Sequence, residues 1–272
     1  MDTPREWEFA GRNGAIAARS WPHPDPRYLA VLVHGYGEHL GRYGHVVRTL
    51  AEHGASVCGL DHIGHGRSAG ERVLITDFED VVADLHTLVT DARADAPELP
   101  VVLIGHSMGG MIAARYAQLH RDRLTALVLS GPVLGRWEAL EALLGLEEIP
   151  EIPIDPTTLS RDPAVGEAYA ADPLVWHGPF KRPTVEALDR CIKTINEHGS
   201  LGDLPTLWVH GEDDRLVPLE GTRTGIEAIR GSDLTEKIYP QARHEVFNEI
   251  NSAEVLGDVI AFVDRVLRAS AR

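Results

Sequence analysis

Six short apolar runs, most of them closed by a glycine, are separated by stretches with helical spacing, and this alternation constrains the chain more than any other feature. The runs are YLAVLVHG (28–35), GASVCGLD (54–61), PVVLIGHS (100–107), LTALVLSGP (124–132), PTLWVHG (205–211) and, more weakly patterned, TEKIYP (235–240). Between them, helices are expected at about 42–53, 77–95, 108–120, 220–230 and 252–269; in 77–95, Phe78, Val81, Val82, Leu85, Leu88 and Val89 recur at helical spacing. Residues 5–10 and 14–20 flank Asn13-Gly14 and read as a hairpin. Strand and helix in alternation give an α/β fold with a mostly parallel sheet covered on both faces. Such sheets place their chemistry on the loops at the carboxyl ends of the strands.

One stretch breaks the rhythm. About 70 residues separate the run at 124–132 from the one at 205–211, and they include a stripe of Trp137, Leu140, Leu143 and Leu144. A connection of that length has its own structure and a task. We read 133–203 as a cap inserted over the carboxyl edge of a core formed by 1–132 and 204–272. The stripe either packs on the sheet or makes transient hydrophobic contact with lipid surfaces.

The net charge of −15 argues against a nucleic-acid partner and against electrostatic capture by anionic membranes. The two cysteines, Cys58 and Cys191, are expected to be reduced thiols. The N-terminal MDTPREWEF lacks a signal-peptide pattern and no stretch suits a membrane span, so a cytoplasmic location is the expectation.

Gly105-His106-Ser107-Met108-Gly109 is G-x-S-x-G, between the run VVLI and a helical pattern. A serine on a sharp strand-to-helix turn is held in a strained backbone conformation, and neighbours two residues away must lack side chains. The turn exposes the hydroxyl, and the Met108 N–H at the helix start can face an oxyanion. Serine needs a base, and the base an acid. Of the histidines after Ser107, His244 stands out because it follows the last strand candidate on a loop. The acid is expected after the run at 205–211, where Glu212, Asp213 and Asp214 leave the choice open. A second oxyanion donor, the Tyr36 N–H, is expected from the glycine-containing loop His34-Gly35-Tyr36-Gly37-Glu38-His39. His62 and His65 in DHIGHG read as part of a structured turn rather than as metal ligands.

The segments HGYGEHLGRY (34–43), DHIGHGRSAGER (61–72), GHSMGG (105–110), HGEDDRLVP (210–218) and HEVFNE (244–249) resemble the monoacylglycerol lipase family. The resemblance runs from about residue 28 to 250 and implies the α/β-hydrolase fold and hydrolysis of a single acyl ester on glycerol. It selects Asp214, from G-x-x-D-x-x-V-P, to complete the set Ser107, Asp214 and His244. It places Glu38 and Arg42 near the glycerol end of the pocket, although a structural ion pair is an equal reading of those two residues. Phe247 departs from relatives with a polar histidine there. The implied chemistry requires no cofactor and no metal. Other hydrolases on the same fold (a carboxylesterase, a lysophospholipase, a peptidase) are the alternatives, and a non-catalytic ligand binder is the reading from a different class.

Overall fold

The computed structural model describes residues 4–94 and 96–270. Positions 1–3, at the head of the N-terminal stretch, and Asp95, at the end of the helix expected over 77–95, lie outside the described residues. Eight strands form one sheet: β1 (Arg5–Ala10), β2 (Ala15–Trp21), β3 (Tyr28–Val33), β4 (Ala55–Leu60), β5 (Val101–His106), β6 (Ala126–Ser130), β7 (Thr206–Gly211) and β8 (Leu234–Tyr239). Their order is β1-β2-β4-β3-β5-β6-β7-β8. The hairpin β1–β2 is antiparallel and pairs antiparallel with β4; the remaining strand pairs are parallel.

The central strands β3, β5, β6 and β7 are buried along their whole length, as a sheet covered on both faces requires. The edge strand β8 is mostly half-buried. Its Glu236 and Lys237 reach outward to Arg223, Arg230 and Asp258, which explains its weak apolar pattern.

Helices α1 (Gly44–Glu52), α2 (Phe78–Ala94) and α3 (Met108–His120) fall where the periodicity puts them. Three helices lie in the long connection: α4 (Glu138–Gly145), α5 (Pro163–Ala171) and α6 (Arg182–His198); α7 (Leu219–Ile229) and α8 (Ser252–Ser270) follow. One core layer joins the sheet to α2, α3 and α6 through residues such as Leu85, Met111, Ile112, Val185 and Leu188. The other joins it to α1 and α8 through Val46, Leu50, Val259 and Val263. Cys58 and Cys191 are free thiols in the first layer, and burial pushes each up to about 12.

Within 133–203, α6 packs against α2, α3 and α7. Its Thr184 Oγ1 accepts from Ile75 N at 3.0 Å and donates to Val73 O at 2.9 Å. Helix α6 is thus part of the core layer that holds α2 and α3. The stripe on α4 faces inward: Leu140 is buried, and Trp137, Leu143 and Leu144 pack against the core. The exposed large apolar residues of this stretch are Leu146 and Ile152 instead.

Candidate active site

Ser107 sits between β5 and α3 with φ 55° and ψ −121°, the strained geometry of a nucleophile elbow. Glycine is demanded on either side. A Cβ on Gly105 would lie 2.3 Å from Gly109 O, and one on Gly109 would lie 2.1 Å from Val33 O. The elbow is thus wedged between its own strand, its own helix and β3.

On the loop after β7, Asp214 is buried while Glu212 and Asp213 are exposed. Asp214 Oδ1 accepts from Leu216 N and Val217 N, both at 2.9 Å, and Oδ2 meets His244 Nδ1 at 2.7 Å. Burial alone would raise the Asp214 carboxyl, but the His244 ring and these donors hold it below the usual carboxylate range. Burial likewise opposes protonation of His244, yet the Asp214 carboxylate, its hydrogen bond and the charges of Glu245 and Glu38 lift His244 above its ordinary value. Ser107 and His244 open on one cavity of about 170 Å³.

Tyr36, on the loop after β3, borders the same cavity. A Cβ on Gly35 would come within 3.2 Å of Ser107 Cβ, so this loop runs hard against the elbow. Neither the Tyr36 N–H nor the Met108 N–H has a hydrogen-bond acceptor among the described residues. The Tyr36 ring stacks on Phe180 at 4.3 Å.

Glu38 and Arg42 also border the cavity, and they form a buried ion cluster with a third residue, Glu245. Arg42 Nη1 donates to Glu38 Oε2 and to Glu245 Oε1, both at 2.7 Å, and Nη2 donates to Glu245 Oε2 at 2.9 Å. Glu38 Oε1 accepts from Gly35 N and Tyr43 OH, each at 2.7 Å. Burial works against the Glu38 charge, but Arg42 and these donors hold its carboxyl below its ordinary value. The ion-pair reading of Glu38 and Arg42 is thus observed, and the pair borders the cavity. Phe247 is buried among the residues under α8, with its carbonyl accepting from His45 Nε2 at 2.7 Å.

The sequence reading missed Glu245 and His106. Glu245 was detectable only as an acid next to a candidate base, a weak signal. His106 is buried beside the serine, with Nδ1 3.1 Å from both Ser130 O and Ser130 Oγ and its ring 4.8 Å from that of His244. Burial, with the neighbouring His244, pushes it down to about 4. His62 and His65 brace the turn as expected, through His34 O and Ile63 O. Asp61 holds the same turn by accepting from Leu40 N and Arg67 N.

The family described as "Serine aminopeptidase, S33" matches residues 24–251. A monoacylglycerol lipase of Mycolicibacterium smegmatis is 39% identical, over 96% of this chain and 97% of its own. The chain belongs to the monoacylglycerol lipase family. The human monoglyceride lipase is 32% identical, over 87% of this chain and 85% of its own. The fold agrees with that of the family as well. The crystal structure of Paleococcus ferrophilus monoacylglycerol lipase superposes with a TM-score of 0.77 at 26% identity, covering 93% of this chain and 98% of that one. This family member is a hydrolase of the α/β-hydrolase fold.

Proposed function

We propose that the chain hydrolyses monoacylglycerols to fatty acid and glycerol through an acyl-enzyme on Ser107. The observation that carries this reading is the cavity itself. Its walls are mostly apolar, from Trp137, Leu143, Ile154, Leu159 and Phe180, and a polar cluster of Glu38, Arg42 and Glu245 borders it together with Ser107 and His244. That combination suits one acyl chain and one small polar alcohol.

In this mechanism His244 takes the Ser107 proton as the hydroxyl attacks the ester carbonyl. The free N–H groups of Tyr36 and Met108 receive the oxyanion, at the positive end of α3. His244 then protonates the departing glycerol and activates water against the acyl-enzyme, while Asp214 orients the ring and stabilises its cation. The free hydroxyls of glycerol would meet the polar cluster of Glu38, Arg42 and Glu245 at the border of the cavity. A second acyl chain would leave such groups unpaired at about 1–3 kcal/mol each. A peptidase acting at a free amino terminus would need carboxylate oxygens to hold an ammonium group, and those of Glu38 and Glu245 are already engaged.

No helix among the described residues is long and apolar enough to cross a membrane. We place the protein in the cytoplasm, meeting lipid briefly through the exposed Leu146 and Ile152. The test is turnover of mono-, di- and triacylglycerols, lysophospholipid and an aminoacyl amide. Monoacylglycerol should be preferred over diacylglycerol by about 10²- to 10⁴-fold, and Ser107→Ala should abolish both turnover and fluorophosphonate labelling. Comparable hydrolysis of triacylglycerol, or release of amino acids alone, would overturn the proposal.

A further inference from the structure

Arg42 is the one cation deep in the cavity wall, and both of its outer nitrogens are committed to carboxylates. The side chains of Arg42, Glu38 and Glu245 are 10%, 4% and 5% exposed. Two carboxylates against one guanidinium leave a unit negative charge where little water screens it. The other cation bordering the cavity, Arg215, is exposed to solvent on the Asp214 loop, where its field is weak. Asn248 Nδ2 donates to Glu245 Oε2 at 2.7 Å, which fixes the carboxylate that faces Arg42.

Without Glu245 the cluster would be neutral, and the fork of Arg42 would present two parallel N–H donors, an arrangement that binds phosphate. With Glu245 in place that fork is closed. We propose that Glu245 sets the headgroup specificity of this site, so that acyl esters of uncharged alcohols are accepted and those whose alcohol carries a phosphate are rejected. This rests on the monoacylglycerol reading for the alcohol and extends it to the alcohol's charge.

The experiment compares a 1-acylglycerol with the 1-acylglycerol 3-phosphate of the same acyl chain, in wild type, Glu245→Gln and Glu245→Asp. A phosphate monoester carries most of two negative charges at neutral pH. One unit charge within about 7 Å alters its binding on the order of 10- to 100-fold at the screening of a part-buried site. Wild type should therefore favour the neutral ester by roughly 100-fold in kcat/KM, Glu245→Gln should reduce that ratio about 10- to 100-fold, and Glu245→Asp should keep it. A purely structural role would move the two variants together. A second measurement on wild type needs neither ester to turn over nor any variant to fold: protection of Ser107 from a fluorophosphonate by dodecyl phosphate and by dodecyl glyceryl ether. Only the ether should protect at low concentration. The inference is overturned if the phosphate protects as well as the ether, if wild type cleaves both esters equally, or if Gln and Asp shift the ratio alike. Protection by the ether without cleavage of either ester would instead count against the monoacylglycerol reading alone.

Discussion

Replacing Asp214 by Asn tests the catalytic assignment at its most demanding point. The asparagine oxygen can keep the bonds that Leu216 N and Val217 N give to Oδ1. Its amide then takes the place of Oδ2, which lies 2.7 Å from His244 Nδ1. An N–H pointing at Nδ1 requires that nitrogen to be an acceptor, so the ring proton moves to Nε2 and the base is lost. The variant also removes the carboxylate that stabilises the imidazolium. The same change in a chymotrypsin-type triad lowers kcat about 10⁴-fold with the geometry intact, and the same loss is expected here. Asp213, exposed one residue away, is the internal control: Asp213→Asn should cost less than about threefold, within the ±0.5 kcal/mol of ordinary surface substitutions. Initial rates on a monoacylglycerol, with circular dichroism and thermal melts to confirm folding, decide the matter. A folded Asp214→Asn enzyme within tenfold of wild type, or a larger loss for Asp213→Asn, would refute the assignment.

With His244 as the proposed base, kcat/KM should fall as pH drops through its pKa, which burial lowers but Asp214, Glu245 and Glu38 together raise above the ordinary histidine value. Removing a carboxylate destabilises the imidazolium, so Glu245→Gln should move the acid limb of the pH–rate profile to lower pH; an unmoved limb or one moved upward would contradict the electrostatic account. Glu38→Ala strands Tyr43 OH and Gly35 N and leaves Arg42 with a single partner. It should cost on the order of 3 kcal/mol and lower Tm by roughly 6–12 °C, and a melt within 2 °C of wild type would show that the cluster contributes no stability.

The parts of this molecule that are legible in its sequence are those where local sterics or periodicity dictate the residue. Gly105 and Gly109 have to be glycine because a Cβ at either would overlap backbone atoms, so the elbow announces itself. The buried strands read as apolar runs because both of their faces are covered. Helix α6 is not among the helices expected from the sequence, although Val185, Leu188, Ile192 and Ile195 fall on one face. Pro183 in fact occupies the first turn, where its missing N–H costs nothing. The stripe on α4 left two outcomes open because a helix turning an apolar face to the core has the same pattern as one turning it to lipid. Glu245 was illegible for a different reason: its partner Arg42 lies 203 positions away, and no local rule reports a contact made by folding.

The same long-range bonds bear on how an acyl chain reaches Ser107. The cavity at Ser107 and His244, of about 170 Å³, is bordered from the long connection by Trp137, Leu143, Ile154, Leu159 and Tyr169. The cover is tied to the catalytic loops at several points. Trp176 N donates to Gly37 O at 2.7 Å and His39 Nε2 meets Asp172 Oδ2 at 2.8 Å, both on the Tyr36 loop. Trp137 Nε1 donates to Leu216 O at 2.7 Å beside Asp214, and Glu245 N donates to Leu159 O at 2.8 Å beside His244. Lifting the cover as a rigid body would break all of these, at about 1 kcal/mol each, and would release the loops that carry Tyr36, Asp214 and His244. Between α4 and Asp155 the backbone is irregular and mostly exposed, with Ile152 in solvent and Ile154 against the cavity. Displacing the segment around Ile152 would leave those four ties intact and would break instead the bonds that Arg182 Nη2 donates to Leu146 O and Glu147 O, so the two ends of the cover are held to different parts of the molecule.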